Sequence, residues 1–299
     1  MWVTYAFISA FLIGLQDIAR KQAVRNNSVI LVLLLNLFFC SIFLLPFILS
    51  AQFEFGWFSG TWLDMGRGGL YQHGLVLIKA LVVLASWVCL YFSLKQLPIT
   101  LTAPMNATYP ILTLMGAMII FGERLNGLQW LGIIVSVFSL FLLKKSGAKE
   151  GIFFAKNKWI WLLAMSALLS AASGLYDKFL MQRVHFLFVQ SWYTLYQFVL
   201  MTVIILILPH RKMFKKLHWD YAIVWVSVFM VTSEFFYLYA LREPGAMISM
   251  VSMMRRASVL VTFIGGAWWF GEKNLRSKAV DLIFVLIGMI FLGLGSYGR

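Results

Sequence analysis

The sequence predicts an all-α polytopic membrane protein: ten transmembrane helices arranged as two inverted five-helix repeats. Three observations predict it. Apolar types make up 62% of the 299 residues and charged types only 12%, about half the charge with which a soluble globule covers its surface. The apolar residues fall in continuous runs, mostly about 20 residues long, the length a helix needs to cross the hydrocarbon core. Three short motifs of the first half also recur, in the same order, in the second.

The ten runs lie near 2–19, 29–49, 71–94, 98–121, 125–143, 159–182, 187–208, 220–241, 244–270 and 277–297. Barrel strands would be half as long and alternating. The first run has no basic segment before it and is followed by Asp17, Arg20 and Lys21, so it is expected to be a helix rather than a cleaved signal. Most connections are short. The longest are 50–70, rich in Gly and Trp, and 144–158, with Lys144, Lys145, Lys149, Lys156 and Lys158. Cys40 and Cys89 both sit inside apolar runs, which excludes a disulfide scaffold. The net charge of +14 does not indicate a nucleic-acid partner, because the basic residues lie mostly between runs, where they meet lipid headgroups.

The repeat shows in Gly14-Leu15-Gln16-Asp17 and Gly174-Leu175-Tyr176-Asp177. It shows again in Tyr91–Pro98 against Tyr237–Pro244, and in Phe121-Gly122-Glu123-Arg124 against Phe270-Gly271-Glu272-Lys273. The expected division is residues 1–143, a basic linker 144–158, and residues 159–299. Five spans are an odd number, so the second repeat is expected upside down relative to the first. Many secondary transporters build two gates around one midplane site in this way.

The ten runs, the Tyr-x-x-Leu-x-x-x-Pro lead into the fourth helix with its counterpart before the ninth, and the Phe-Gly-Glu-Arg/Lys that closes both helices resemble the EamA-like branch of the drug/metabolite transporter superfamily. The resemblance covers the whole chain. It implies a basket of ten helices around a cavity lined by helices 1, 3, 4, 6, 8 and 9, with helices 5 and 10 peripheral. It fixes no substrate. The second half departs where Met254-Arg255-Arg256 replaces Met105-Asn106-Ala107. Orientation stays open. One set of connections holds 16 Lys and Arg and the other 6, which by the positive-inside rule puts both termini outside; the resemblance implies both inside.

Arg255 and Arg256 lie in the ninth run. Together they cost about 5–7 kcal/mol at a helix centre, while the eight Leu, Ile, Val and Phe of 245–270 return only about 2–5 kcal/mol. They are expected to face a watery cavity or buried partners: either they read an anionic substrate group or they form a buried structural pair, with at least one arginine pairing with Glu234 or another buried acceptor and one lining the cavity. Glu234 is that counter-charge or a proton-coupling carboxylate, with Tyr237 three residues on. Lys79, Trp87 and Tyr91 share one face of the third helix; Lys79 either serves a gate or snorkels to the interface. Thr102, Asn106, Tyr109 and Thr113 form a polar stripe on the fourth helix, with Pro104 and Pro110 about its middle. Ser166, Ser170, Ser173 and Asp177 form one on the sixth, where the serines suit close packing. The expected cavity wall is Trp87, Tyr91, Asn106, Tyr109, Tyr176 and Tyr237. Asp17 and Asp177 are gate or coupling candidates, with a local Asp17–Arg20/Lys21 pair as the alternative. Glu123 and Glu272 are expected to fix the tight turns that follow Phe-Gly.

His73, His185, His210 and His218 are scattered. No metal spacing, nucleophile elbow or phosphate loop appears, so neither catalytic residues nor a metal or cofactor is expected. The expected function is a gradient-driven or facilitative secondary transporter of the inner or plasma membrane. It would export a small polar or amphipathic metabolite, amino acids foremost, by alternating access. Its partners would be that substrate, the bilayer and a coupling proton or ion, in a monomer or homodimer. The alternative is a membrane-embedded enzyme acting on a lipid or lipid-linked substrate.

Overall fold

The computed structural model describes residues 2–61, 63–107, 111–112, 115–116, 118–119, 126–148, 151–181, 183–207, 218–242, 251, 254–272 and 275–296. Ten helices are described, and no strand, among these residues: α1 (Trp2–Arg25), α2 (Val29–Gln52), α3 (Leu70–Gln96), α4 (Ile99–Ala107), α5 (Gly127–Ala148), α6 (Lys158–Met181), α7 (Phe186–Ile207), α8 (Ala222–Arg242), α9 (Ser258–Trp269) and α10 (Leu275–Ser296). Seven of them are long and apolar enough to cross a membrane. Large apolar side chains such as Phe11, Phe141, Leu206 and Trp268 stay exposed on the outside, where lipid rather than water is their solvent. The protein is a multi-pass integral membrane protein.

The helices start and stop for local reasons. α3 ends at Gln96, just before Pro98, since proline disfavours the helical conformation of the residue ahead of it. α5 runs five residues past the expected end at 143 and takes in Lys144 and Lys145, so the basic connection begins later than predicted. Lysine is a good helix former and is favoured in a last turn by the helix dipole. Gly151 then closes α5 with φ +75°. Its N–H reaches the Ala148 carbonyl at 3.1 Å, and that of Ile152 reaches Gly147 at 3.0 Å, the two-bond cap that a left-handed glycine permits.

The main packing partners come from opposite halves of the chain. α1 packs on α8 and α9, α3 on α6 and α7, α2 on α7 and α8, α4 on α9, and α5 on α10. Where α5 meets α10 the backbones nearly touch. A methyl group on Gly288 would stand 2.0 Å from Ser136 Oγ, and one on Gly132 would stand 2.7 Å from the Gly288 carbonyl. Small residues are what allow helices to approach this closely in lipid, where apolar association has no aqueous driving force.

One end of the bundle gathers the basic connections. The C-terminal end of α1 meets the start of α8 through Gln22 and Asp220 at 3.1 Å, and Asn27 donates to the His218 carbonyl at 2.9 Å. Lys95, at the end of α3, donates to the Asn27 carbonyl at 2.6 Å. Ser93 donates to the carbonyl of Trp159, at the start of α6, at 3.0 Å. The opposite end holds the 53–69 connection, where Arg67 donates to the Ala51 and Gln52 carbonyls at 3.2 and 2.7 Å.

Candidate functional site

A charged side chain inside an apolar bundle must find a partner, because desolvation costs several kcal/mol per ion. The pairs that form define the site. Glu234, two-thirds of the way along α8, accepts a hydrogen bond from Nη2 of Arg255. The same guanidinium lies 4.0 Å from the Tyr237 ring centroid, one helical turn beyond Glu234. Both partners keep some accessible surface, 30% for the Glu234 side chain and 18% for Arg255. Arg256 follows in the turn ahead of α9. There Ala257, Val259 and Leu260 donate to carbonyls three residues back, a tighter winding than an α-helix.

A second pair lies between α3 and α6. Lys79 Nζ is 2.6 Å from Asp177 Oδ1 and 4.8 Å from the Tyr193 ring centroid on α7. Glu234 is within electrostatic reach of both Asp177 and Tyr193. Four helices thus contribute Lys79, Asp177, Tyr193 and Glu234 to one neighbourhood. The snorkelling alternative for Lys79 is corrected: the residue is 8% exposed and is turned inward by a carboxylate. Tyr176, beside Asp177, donates its hydroxyl to the Leu75 carbonyl at 3.0 Å.

Asp17 and Tyr91 lie apart from that cluster. Asp17 accepts from Arg20 Nη1 at 2.8 Å and from Thr262 of α9 at 3.4 Å, the local pair expected for Arg20. Lys21 turns away and donates instead to the carbonyls of Leu94 and Leu97 at the end of α3. Tyr91 is fully buried. Its hydroxyl accepts from Asn36 at 3.2 Å, and Arg20 lies 5.1 Å from its ring centroid. Trp87 packs on the surrounding apolar cluster. The shared face expected for Lys79, Trp87 and Tyr91 is therefore divided: Lys79 points at α6 and α7, and Tyr91 at α1 and α2.

On α4, Thr102 is buried and bonds back to the Ile99 carbonyl at 3.2 Å, while Asn106 is half-buried. Tyr109, Pro110, Thr113, Glu123 and His210 lie outside the described residues. The serines of α6 pack as expected, with Ser86 of α3 within 3.1 Å of Ser166 and 2.8 Å of Ser170.

Glu272 is the residue whose role the sequence misassigns. Gly271 does terminate its helix with φ +58°, but the carboxylate reaches across to α4. It accepts the N–H groups of Ile99 and Thr100 at 2.6 and 2.9 Å, and the Thr100 hydroxyl. These N–H groups have no partner within their own helix, and an anion there also meets the positive end of the helix dipole. Lys278, fully buried on α10, donates to Thr100 Oγ1 at 2.8 Å. With Lys21 on the preceding carbonyls, the Pro98 break between α3 and α4 is held by opposite charges on its two sides. A carboxylate one residue beyond a left-handed glycine, and a partner helix opening at Pro98, are the signals from which this clamp was readable.

Among the described residues no group of three or more His, Cys, Asp or Glu could hold a metal ion. Cys40 and Cys89 are free thiols.

Comparison with known proteins bears on what such a bundle does. No curated protein matches the chain. The model of the EamA-like transporter family matches residues 1–144, the segment that ends within α5, four residues before its last, and carries Asp17, Lys79 and Tyr91. Over residues 1–144, just under half of its length, the chain thus matches the EamA-like transporter family, part of the drug/metabolite transporter superfamily.

Proposed function

We propose that the protein is a secondary transporter that moves a small polar or amphipathic metabolite, an amino acid or close relative foremost, by alternating access between two inverted repeats. The family is one of membrane transporters of small molecules. The observation that carries the reading is the Glu234–Arg255 pair: two opposite charges well inside the chain's apolar segments, stacked on Tyr237, with surface still accessible. A buried pair repays its desolvation only where geometry is excellent and its remaining lone pairs and protons are hydrogen-bonded. A pair left open presents both signs to a small polar molecule, within electrostatic reach of Asp177 and Tyr193.

The packing supports the inverted repeat. Exchanging α1 with α6, α3 with α8, and each remaining helix with the one five later turns the α1–α8 contact into α6–α3 and α2–α8 into α7–α3. It leaves α2–α7, α4–α9 and α5–α10 as contacts across the exchange axis. The ends also match. α1 and α3 finish where α6 and α8 begin, so these two helices run opposite to their counterparts, as the proposal requires. The repeats would be residues 1–143 and 159–299. Asp17 and Asp177, 160 positions apart, would then lie toward opposite membrane faces, one locked to α9 and one to α3, as gate residues. Export and a coupling proton or ion belong to this proposal, as does an inner or plasma membrane location.

The test is a thermal-shift screen of the purified protein over a metabolite library, since a ligand that binds only the folded state must stabilise it. The proposal expects hits that stabilise the wild type and fail to stabilise Glu234→Gln/Arg255→Met. Hits that stabilise both proteins equally would remove the pair from the site.

A further inference from the structure

We infer that the connection between α5 and α6 is a binding site for an anionic phospholipid of the surrounding bilayer, with the headgroup held between Lys144 and Lys156 and an acyl chain laid down the outer face of α5. The inference does not rest on the transport reading. It starts from a groove of about 270 Å³ whose walls include Lys144, Ile152, Phe153, Phe154 and Lys156.

The described residues of the groove are tied down by hydrogen bonds and packing. The two-bond cap at Gly151 fixes its entry. Asn157 fixes its exit, accepting the Trp159 N–H at 3.0 Å while its own N–H reaches the Phe153 carbonyl at 3.0 Å. Trp161 Nε1 holds the Ala155 carbonyl at 3.3 Å. Ile152 and Phe154 pack into the cluster of Leu97, Leu101, Leu143, Ile160 and Leu163.

The rim is basic and the floor apolar. Lys144, Lys145, Lys156 and Lys158 are all exposed, at the end of the bundle where the other basic connections gather. The last turn of a helix carries partial negative charge that supports cations there. A free phosphate would meet the lysines but leave the apolar floor and the exposed Phe153 unused. A phospholipid uses both.

The face of α5 leading to the groove carries Ile134, Phe138 and Phe141, exposed by 61, 50 and 66%. They stand at i, i+4 and i+7, so they form one stripe along the helix, and the next steps of that stripe are Lys145 and Ala148. Trp159 and Trp161 stand at the level where indoles favour the headgroup region. The two ammonium groups that line the groove, Lys144 and Lys156, with Lys145 and Lys158 exposed nearby, select a headgroup with net negative charge over a zwitterionic one.

The test uses the full chain in nanodiscs of phosphatidylcholine with a minor fraction of phosphatidylglycerol, counting retained lipids by native mass spectrometry. Lys144→Gln/Lys156→Gln is compared with Arg25→Gln/Arg276→Gln, which removes equal charge from exposed positions elsewhere on the same end. At roughly fivefold per basic residue near a membrane surface, the groove variant is expected to lose more than tenfold in preference for phosphatidylglycerol, while the control loses at most a few-fold. The charge-retaining Lys144→Arg/Lys156→Arg keeps the preference and shows that any loss is not misfolding. Equal retention of both lipids by the wild type, equal losses in the two glutamine variants, or displacement of phosphatidylglycerol by millimolar inorganic phosphate would each overturn the inference.

Discussion

At the scale of single residues, the account rests on charges that are satisfied in pairs. Removing one member of the Glu234–Arg255 pair leaves the other uncompensated inside the bundle, which costs several kcal/mol; removing both costs far less. Because both side chains keep some surface, we expect Arg255→Met alone to destabilise by about 2–4 kcal/mol and Glu234→Gln/Arg255→Met by about half that or less. Thermal melts of the two single variants and the double variant form the cycle that measures the coupling. A purely additive result would mean that the pair does not interact. Glu272 gives a second expectation. Glu272→Ala strips the partner from two N–H groups of α4 and should cost about 1–3 kcal/mol, whereas Glu272→Gln, which still offers one acceptor oxygen, should cost less. The same melts separate them.

The residue scale is also where the sequence is least legible. That at least one of Arg255 and Arg256 needs a buried acceptor, with Glu234 the nearest candidate, follows from cost alone, since two arginines exceed what their apolar run returns on insertion; which arginine pairs does not. The match of Lys79 with Asp177 does not follow either, because periodicity places a lysine on a face and says nothing of which helix lies opposite. Tyr91 shows the same limit. Its spacing from Lys79 suggests a shared environment, yet α3 is long enough for its two ends to meet different neighbours, and Asn36 and Arg20 claim the tyrosine.

At the scale of elements, helix positions follow directly from the hydropathy runs and close contacts follow from glycine. The runs near 29–49, 71–94, 159–182 and 187–208 correspond to α2, α3, α6 and α7 within three residues at either end. The α1 and α5 ends are longer than expected because Arg20, Lys21, Arg25, Lys144 and Lys145 continue a helix as readily as they end one. The α5–α10 interface gives a prediction at this scale. Gly288→Leu forces a side chain into Ser136 and should destabilise by about 1–3 kcal/mol or separate the two helices. Trp268→Ala, on an exposed face, should leave the melt within about 0.5 kcal/mol. A disulfide trapped between cysteines placed across the α5–α10 interface would form in the wild-type background and be lost on Gly288→Leu. Undiminished cross-linking would show that this contact does not hold the two helices together.

At the scale of the whole molecule, every main contact joins one half of the chain to the other, so neither half has a complete core of its own. Residues 1–144 expressed alone should therefore need the second half to fold, and co-expression of 1–144 with 145–299 should restore a protein that melts as one unit. In the transport cycle proposed above, the two halves would rock about a shared site formed by Glu234, Arg255, Lys79 and Asp177. The family model that matches residues 1–144, the paired charges and the contacts exchanged between halves are the grounds for proposing movement of a solute. The direct measurement is flux: the best-stabilising metabolite, labelled and offered to sealed vesicles containing the purified protein. The account predicts saturable passage of the unaltered molecule, abolished in Glu234→Gln/Arg255→Met. Chemical conversion of the ligand with no label crossing the membrane would contradict it.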